Sequence, residues 1–368
     1  MKVHQICYGL IPGDAISNHV IEVDRRLRAW GIETAMYAQH VAPQMGARAR
    51  PDHEYAAYLH EPNHLLLYHY ALYSPNIRYY QATRGRRVFC YHNITPSLYF
   101  RGWDREQELL CDVGRRILPS LTECDLAIGD SDYNRQELVQ SGFVREKTAV
   151  MPLFMRKELF DDPPTRLPLP DQLRSRGDIN FLSVGRIVPN KAIEDIIRVF
   201  YTYHRGINPR SHLYLVGPRY LPAYDAKLDE LVDTLGLQNS VTFAGLVLPP
   251  MLQAYYQAAD IYVQASYHEG FCVPLLEAMQ FGVPILARRA AAIPLTLGDS
   301  GILYTSLGCE EVAEMAHLLT SDEEIREQVV ARQKDRLRDF APVHVEATLR
   351  EILAHLDVPT AEEEQIHD

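Results

Sequence analysis

The chain has no C-x-x-C pair. Its six cysteines, Cys7, Cys90, Cys111, Cys124, Cys272 and Cys309, are scattered, which excludes zinc-ribbon and thioredoxin-like spacing and fits reduced thiols in a cytosolic protein. No segment approaches the roughly 18 to 20 apolar residues of a membrane span, and the apolar run in the opening MKVHQICYGLIPGD is too short for a secretory signal. An excess of basic charge is missing as well. The formal net charge is -11, whereas general nucleic-acid binding needs a concentrated basic surface. A full G-x-G-x-x-G dinucleotide fingerprint is absent too.

With 368 residues, 47% of them hydrophobic and 23% charged, the chain exceeds one ordinary core and predicts two globular domains. Residues 1–150 hold 17 Lys+Arg and 17 Asp+Glu, while the remainder holds 20 against 31. The first half is therefore the better side for an anionic acceptor or a membrane surface, and peripheral membrane contact stays open. Apolar runs (KVHQICYG, ETAMYA, RRVFCYH, DLAIG, KTAVMPL) alternate with helical periodicity at 17–30, 104–121 and 132–141, which predicts βαβ units on a parallel sheet. A proline- and charge-rich stretch, 156–178, reads as a linker. A second series (INFLSVG, HLYLVG, SVTFAG, DIYVQA, VPILAR) predicts another open α/β sheet over 179–340. Three helices then precede an acidic tail, 358–368. Two α/β sheets joined by a linker predict an interdomain cleft, with ligands at the carboxyl ends of strands.

The segment SYHEGFCVPLLEAM, 266–279, places Glu269 in a loop and Glu277 one turn inside a helix that Pro274 helps to start. Two carboxylates there suit the vicinal hydroxyls of a ribose or hexose. The helix amides form an anion site that Gly270 leaves open to close approach.

Glu269 to Glu277 matches the E-x7-E motif and resembles the retaining glycosyltransferases of family 4. In the same order, LSVGRIVPNKAIEDIIRVF resembles that family's V-G-R-x-x-P-x-K segment, and the runs from Asn180 to Ala287 resemble its strands. The resemblance implies a GT-B fold, that is, α/β with two Rossmann-like doubly wound domains facing an interdomain cleft. It further implies that the helix at about 341–357 crosses back to the acceptor-side domain, 1–155. The implied donor is a nucleotide diphosphate sugar, such as GDP-mannose or a UDP-hexose, with no cofactor and no metal. Glu277 is implied to bind the ribose, Glu269 to face the transferred sugar, and Arg186 and Lys191 to clamp the diphosphate and stabilise its departure. Gly270, Phe271, Cys272, Gly217 and Leu276 join the donor side, with Leu246 and Val247 near the base. Ala192 departs from the family's usual glycine after the lysine.

In the first half, YGLIPGDAIS resembles the family's glycine-bearing loop, with Gly13 beside donor phosphate and Asp14 on the acceptor side. His92 matches a histidine placed near the reacting sugar, and Asn93 and Thr95 add hydroxyl-directed contacts. Asp130-Ser131-Asp132 carries a D-x-D spelling, but a helix cap explains it better. The tyrosines Tyr68, Tyr70, Tyr73, Tyr79 and Tyr80 suit either sugar stacking or core packing. The arginines 84, 86, 87, 101, 105, 115 and 116, interleaved with acids, read as a solvated face.

The predicted function is retaining sugar transfer to a sugar or lipid-linked acceptor in glycan, polysaccharide or glycolipid synthesis. A sugar-nucleotide epimerase on the same fold and a non-catalytic sugar-nucleotide-binding subunit are the alternatives. Base, sugar, acceptor and oligomeric state stay open.

Overall fold

The computed structural model describes residues 1–46, 48–155 and 169–360. Most of the linker expected at 156–178 and the end of the acidic tail lie outside the described residues. The chain divides into two compact units. The first comprises Met1–Leu98, Glu106–Met155 and the stretch from Phe340 onward; the second takes Tyr99–Arg105 and the described chain up to Asp339.

In the first unit, seven parallel strands, β1 (Lys2–Leu10), β2 (Thr34–Val41), β3 (Arg50–Pro51), β4 (His64–Tyr70), β5 (Arg86–Tyr91), β6 (Leu126–Gly129) and β7 (Thr148–Val150), lie in the order β3-β2-β1-β4-β5-β6-β7. The sheet is wound by α1 (Ala15–Ala29), α2 (Ile77–Ala82), α3 (Arg105–Ile117) and α4 (Asp132–Gln140). The order turns back between β1 and β4, which puts a switch point at their carboxyl ends. Every residue of β4 is buried, as expected for a central strand covered on both faces. Its tyrosines, and Tyr80 of α2, serve the core. The Tyr68 hydroxyl donates to Asn76 Oδ1 at 2.8 Å, Tyr70 to the Gly114 carbonyl at 2.9 Å and Tyr80 to that of Leu121 at 2.9 Å.

The second unit includes α5 (Leu169–Arg174) and then repeats the winding with six parallel strands: β8 (Ile179–Val184), β9 (Ser211–Val216), β10 (Val241–Gly245), β11 (Ile261–Gln264), β12 (Ile285–Arg288) and β13 (Ile302–Tyr304). Their order is β10-β9-β8-β11-β12-β13. Helices α6 (Ile193–Gly206), α7 (Pro222–Thr234), α8 (Pro249–Ala258), α9 (Val273–Gln280), α10 (Ile293–Leu297), α11 (Cys309–Ser321) and α12 (Glu323–Arg338) accompany them. Here the switch point falls between β8 and β11. Among the described residues, no helix is long and apolar enough to cross a membrane.

The last helix, α13 (Pro342–His355), belongs to the first unit. Val345, Leu349, Ile352 and Leu353 join Val3, Val23, Leu27 and Trp30 in one buried cluster. Removing a fully buried leucine costs about 2 to 5 kcal/mol. Leu353→Ala is therefore expected to lower the unfolding midpoint of the first unit. Trp30 fluorescence in a Trp103→Phe background reads that unit alone, because Trp103 packs against Tyr224 in the second. An unchanged midpoint would mean that α13 adds no stability to that core.

Candidate functional site

The second unit's site is built from the exits of β8 and β11. After β8 the chain reaches Gly185 and Gly217 side by side, and a Cβ on Gly217 would lie 1.8 Å from the Gly185 carbonyl oxygen. This crossing is open only to glycine. Arg186 follows, exposed, with Nη1 3.2 Å from the Tyr220 hydroxyl. A tight turn, Pro189–Lys191, then leads through Ala192, which is buried in left-handed backbone (φ 50°, ψ 48°). That conformation costs an L-residue roughly 1 to 2 kcal/mol and glycine almost nothing. It gives a physical reason for a glycine there, and α6 starts at the next residue.

The turn aims Lys191 at Glu269. Nζ donates to Glu269 Oε1 at 2.6 Å, and both side chains are largely buried. The same oxygen accepts from Ser266 Oγ at 2.7 Å and from Gln264 Nε2 at 2.8 Å. Gln264 ends β11, and its Oε1 accepts from the Tyr262 hydroxyl at 2.8 Å. Among the described residues no hydrogen bond reaches Glu269 Oε2. Asn190 ties the two loops together: its Nδ2 donates to the His268 carbonyl at 3.2 Å, and its own carbonyl accepts from the Tyr267 amide at 2.9 Å. Lys191, Arg186, Gly185 and Gln264 also line one small recess with Ser183, Val184, Ile187 and Ile193.

Glu277 sits in α9 and is fully buried, with Oε2 accepting from the Tyr256 hydroxyl of α8 at 2.8 Å. Cys272, the residue before α9, is left-handed (φ 75°, ψ 66°) and gives the helix no side-chain cap. Burial pushes its thiol well above the ordinary range, so it is a packing group. Phe271 is buried, and its carbonyl accepts from Thr296 Oγ1 at 2.5 Å. Gly270 is partly exposed, Leu276 fully buried, Val247 half-buried, and Leu246 exposed beyond β10. The structure thus brings Arg186, Lys191, Glu269 and Gly217 to one sheet edge. Gln264, Ser266, Asn190 and Tyr256 are additions that the motifs do not announce. A polar residue closing the apolar run DIYVQ is the signal that identifies Gln264.

The first unit differs from the sequence expectation. His92 is expected to contact a sugar, yet its side chain is 1% exposed and both ring nitrogens are engaged, Nδ1 by Asp130 at 2.9 Å and Nε2 by His69 Nδ1 at 2.8 Å. The imidazole is spent inside the fold. Asn93, left-handed at φ 67°, directs Nδ2 to Asn134 Oδ1 at 2.9 Å and Glu137 Oε2 at 3.0 Å. Asp14 caps α1 through the Ser17 amide at 2.9 Å. Gly13 is exposed at φ 80° and Thr95 half-buried. Within the D-x-D spelling, Ser131 caps α4 and Asp132 pairs with Arg135 at 2.6 Å. Among the described residues no group of three or more candidate metal ligands occurs.

Known proteins share this architecture. Residues 169–336 match the family model described as glycosyl transferases group 1. The O-antigen chain mannosyltransferase B of Escherichia coli is 25% identical over 280 residues, 74% of this chain and 71% of that protein. A D-inositol 3-phosphate glycosyltransferase of Corynebacterium aurimucosum is 30% identical over 34% of this chain and 30% of its own length. Among solved structures, Anabaena HepE in complex with UDP-glucose superposes with a TM-score of 0.78 at 18% identity, covering 96% of this chain and 99% of that one. Sucrose-phosphate synthase from Thermosynechococcus elongatus gives 0.76 at 18%, covering 96% and 98%. The twin doubly wound sheets are the GT-B fold of glycosyltransferases. The residues that match the glycosyl transferases group 1 model lie in the second unit.

Gly217→Ala tests the glycine crossing. A Cβ at that distance forces β8 and β9 apart, at a cost of at least about 1 to 3 kcal/mol of stability. Thermal unfolding of the variant is expected to fall clearly below wild type, and equal melting would refute the close approach.

Proposed function

We propose that the chain is a retaining glycosyltransferase that moves a hexose from a nucleoside diphosphate donor to a hydroxyl acceptor without a metal ion. One observation carries this reading. Glu269 is pinned through Oε1 by Lys191, Gln264 and Ser266, while Oε2 has no partner among the described residues. A carboxylate held by one oxygen presents the other in a fixed direction, as recognition of a sugar hydroxyl requires. Lys191 retains two further ammonium donors for a phosphate oxygen, and Arg186 stands at the mouth of the same turn. The acceptor hydroxyl attacks the anomeric carbon from the face that the nucleotide leaves. The carbon–oxygen bond to the diphosphate breaks, and the leaving phosphate takes the hydroxyl proton. Arg186, Lys191 and the amides opening α9 stabilise the negative charge that develops on it.

The donor is assigned as a sugar nucleotide, GDP-mannose or a UDP-hexose, and the acceptor to glycan or glycolipid synthesis; in support, one relative is named an O-antigen chain mannosyltransferase and one solved neighbour carries UDP-glucose. Acceptor contacts are assigned to the first unit, at the loop of Gly13 and Asp14 and at Asn93 and Thr95. Glu277 is assigned to the ribose hydroxyls, with Leu246 and Val247 beside the base.

Glu269→Ala is expected to lower kcat by roughly a hundredfold with little change in nucleotide affinity. Glu277→Ala is expected to weaken nucleotide binding by roughly ten- to a hundredfold. Initial rates and calorimetry measure both. A Glu277 variant that melts lower but binds nucleotide normally would make that residue a structural partner of Tyr256 instead. Turnover is expected to survive EDTA, and consumption of added acceptor separates transfer from epimerisation.

A further inference from the structure

Across the first sheet runs a row of buried polar side chains, one from each of four adjacent strands or strand exits. Gln5 on β1 donates through Nε2 to the Val20 carbonyl of α1 at 3.0 Å. Its Oε1 lies 3.0 Å from His69 Nε2 on β4. His69 Nδ1 is 2.8 Å from His92 Nε2 after β5, and His92 Nδ1 is 2.9 and 3.1 Å from the two oxygens of Asp130 after β6. All four side chains are buried.

The donors in this row can be assigned from one end. A carbonyl only accepts, so Val20 fixes the amide of Gln5 with its nitrogen toward α1 and its oxygen toward His69. That oxygen also only accepts, so His69 must carry its proton on Nε2. Burial, with His92 and His19 nearby, holds His69 well below the ordinary imidazole range, so the ring is neutral and has one proton. Nδ1 of His69 is then an acceptor, and His92 must donate to it from Nε2. At its other nitrogen His92 meets a carboxylate. A neutral ring would turn a lone pair toward Asp130, so one more proton is required between them.

We infer that Asp130 and His92 together hold one proton that the unfolded chain does not, its place dictated from the Val20 carbonyl through Gln5 and His69. The near-equal distances to both carboxylate oxygens put it on Nδ1, giving a buried imidazolium–carboxylate pair. Burial pushes the Asp130 carboxyl upward, in keeping with a pair that retains its proton. The groups facing the pair are His69 from β4, His19 from α1, whose ring lies 5.7 Å from that of His92, and Cys90 from β5. Arg26 acts on His19. His19 is itself held well below its ordinary value by burial and adds no charge. The row thus fixes the β5 exit at His92 and Asn93 by a proton, whatever sugar the second unit takes.

The sign follows from proton counting. Above about pH 6.5 an unfolded histidine has released its proton while the folded pair retains one, so stability falls as pH rises, the unfolding constant growing tenfold per unit. Neutral His19 and His69 act oppositely, withdrawing stability as pH falls below that value. Asp130→Asn separates the two effects, because its amide can donate to a neutral His92 Nδ1 and complete the row without the extra proton.

The test is long-range nitrogen–proton correlation on protein labelled at histidine, with denaturant unfolding followed at Trp30 across pH. Wild type is expected to show His92 protonated on both nitrogens near neutral pH and His69 on Nε2 alone. Asp130→Asn is expected to leave His92 with Nε2–H only and to remove the alkaline loss of stability. A wild-type His92 with a single proton throughout, or a His69 protonated on Nδ1, would overturn the inference even if the variant failed to fold.

Discussion

The ion pair between Lys191 and Glu269 is the contact on which the second unit's site depends, since it joins the exits of two strands, β8 and β11, that lie next to each other but are far apart in sequence. At 2.6 Å and largely buried, the pair forgoes most of its hydration. Such a pair is retained with little net gain in stability unless additional hydrogen bonds compensate the lost water. Ser266 and Gln264 supply them, and both go to the oxygen that Lys191 already holds. The result is a carboxylate with its orientation fixed and one oxygen unspent. Removing either charge leaves the other buried and alone, which is more costly than the pair itself is favourable.

That arrangement demands unusual backbone on both sides. Ala192 ends the lysine turn and Cys272 opens α9, each in left-handed geometry that L-residues adopt rarely. Gly217 passes the Gly185 carbonyl with no room for a Cβ of its own. Strained positions of this kind persist only where surrounding packing over-determines them. Here Asn190 supplies part of it by bonding the lysine turn to the glutamate loop at two points. The switch point between β8 and β11 is thus held from the turn, the loop and the strand end together.

The sequence makes the two sheets and the acidic and basic groups of the second unit legible because they sit in contiguous, strongly patterned stretches. LSVGRIVPNK and SYHEGFCVPLLE each put a strand exit or a helix start beside a charge, and parallel topology brings such exits to one edge. β4 is not legible in the same way. HLLLYHY has no alternation and reads as a tyrosine cluster with polar rims, although its burial on both faces makes it a central strand. With β4 unread, His69 has no place in the fold, and His92 reads as a strand-end histidine near a sugar instead of one enclosed by its neighbours. The partners of Glu269 are hidden for a related reason. Ser266 and Gln264 point to one oxygen only once β11 and the following loop have three-dimensional form.

The two units use the same winding for opposite ends. At the strand exits of the first, polar groups turn inward: His92 to His69 and Asp130, Asn93 to Asn134, Asp14 to the start of α1. At the exits of the second, the groups converge but leave capacity over, one oxygen on Glu269 and two donors on Lys191. The difference follows from what each polar residue meets across the sheet. A histidine facing another histidine and an aspartate completes its bonding within the fold. A glutamate whose three donors all come from one side cannot, and the uncompleted side is where a ligand has something to gain. The same physical rule, that buried polar groups must find partners, therefore completes the bonding of His92 in one unit and leaves Glu269 with an unspent oxygen in the other.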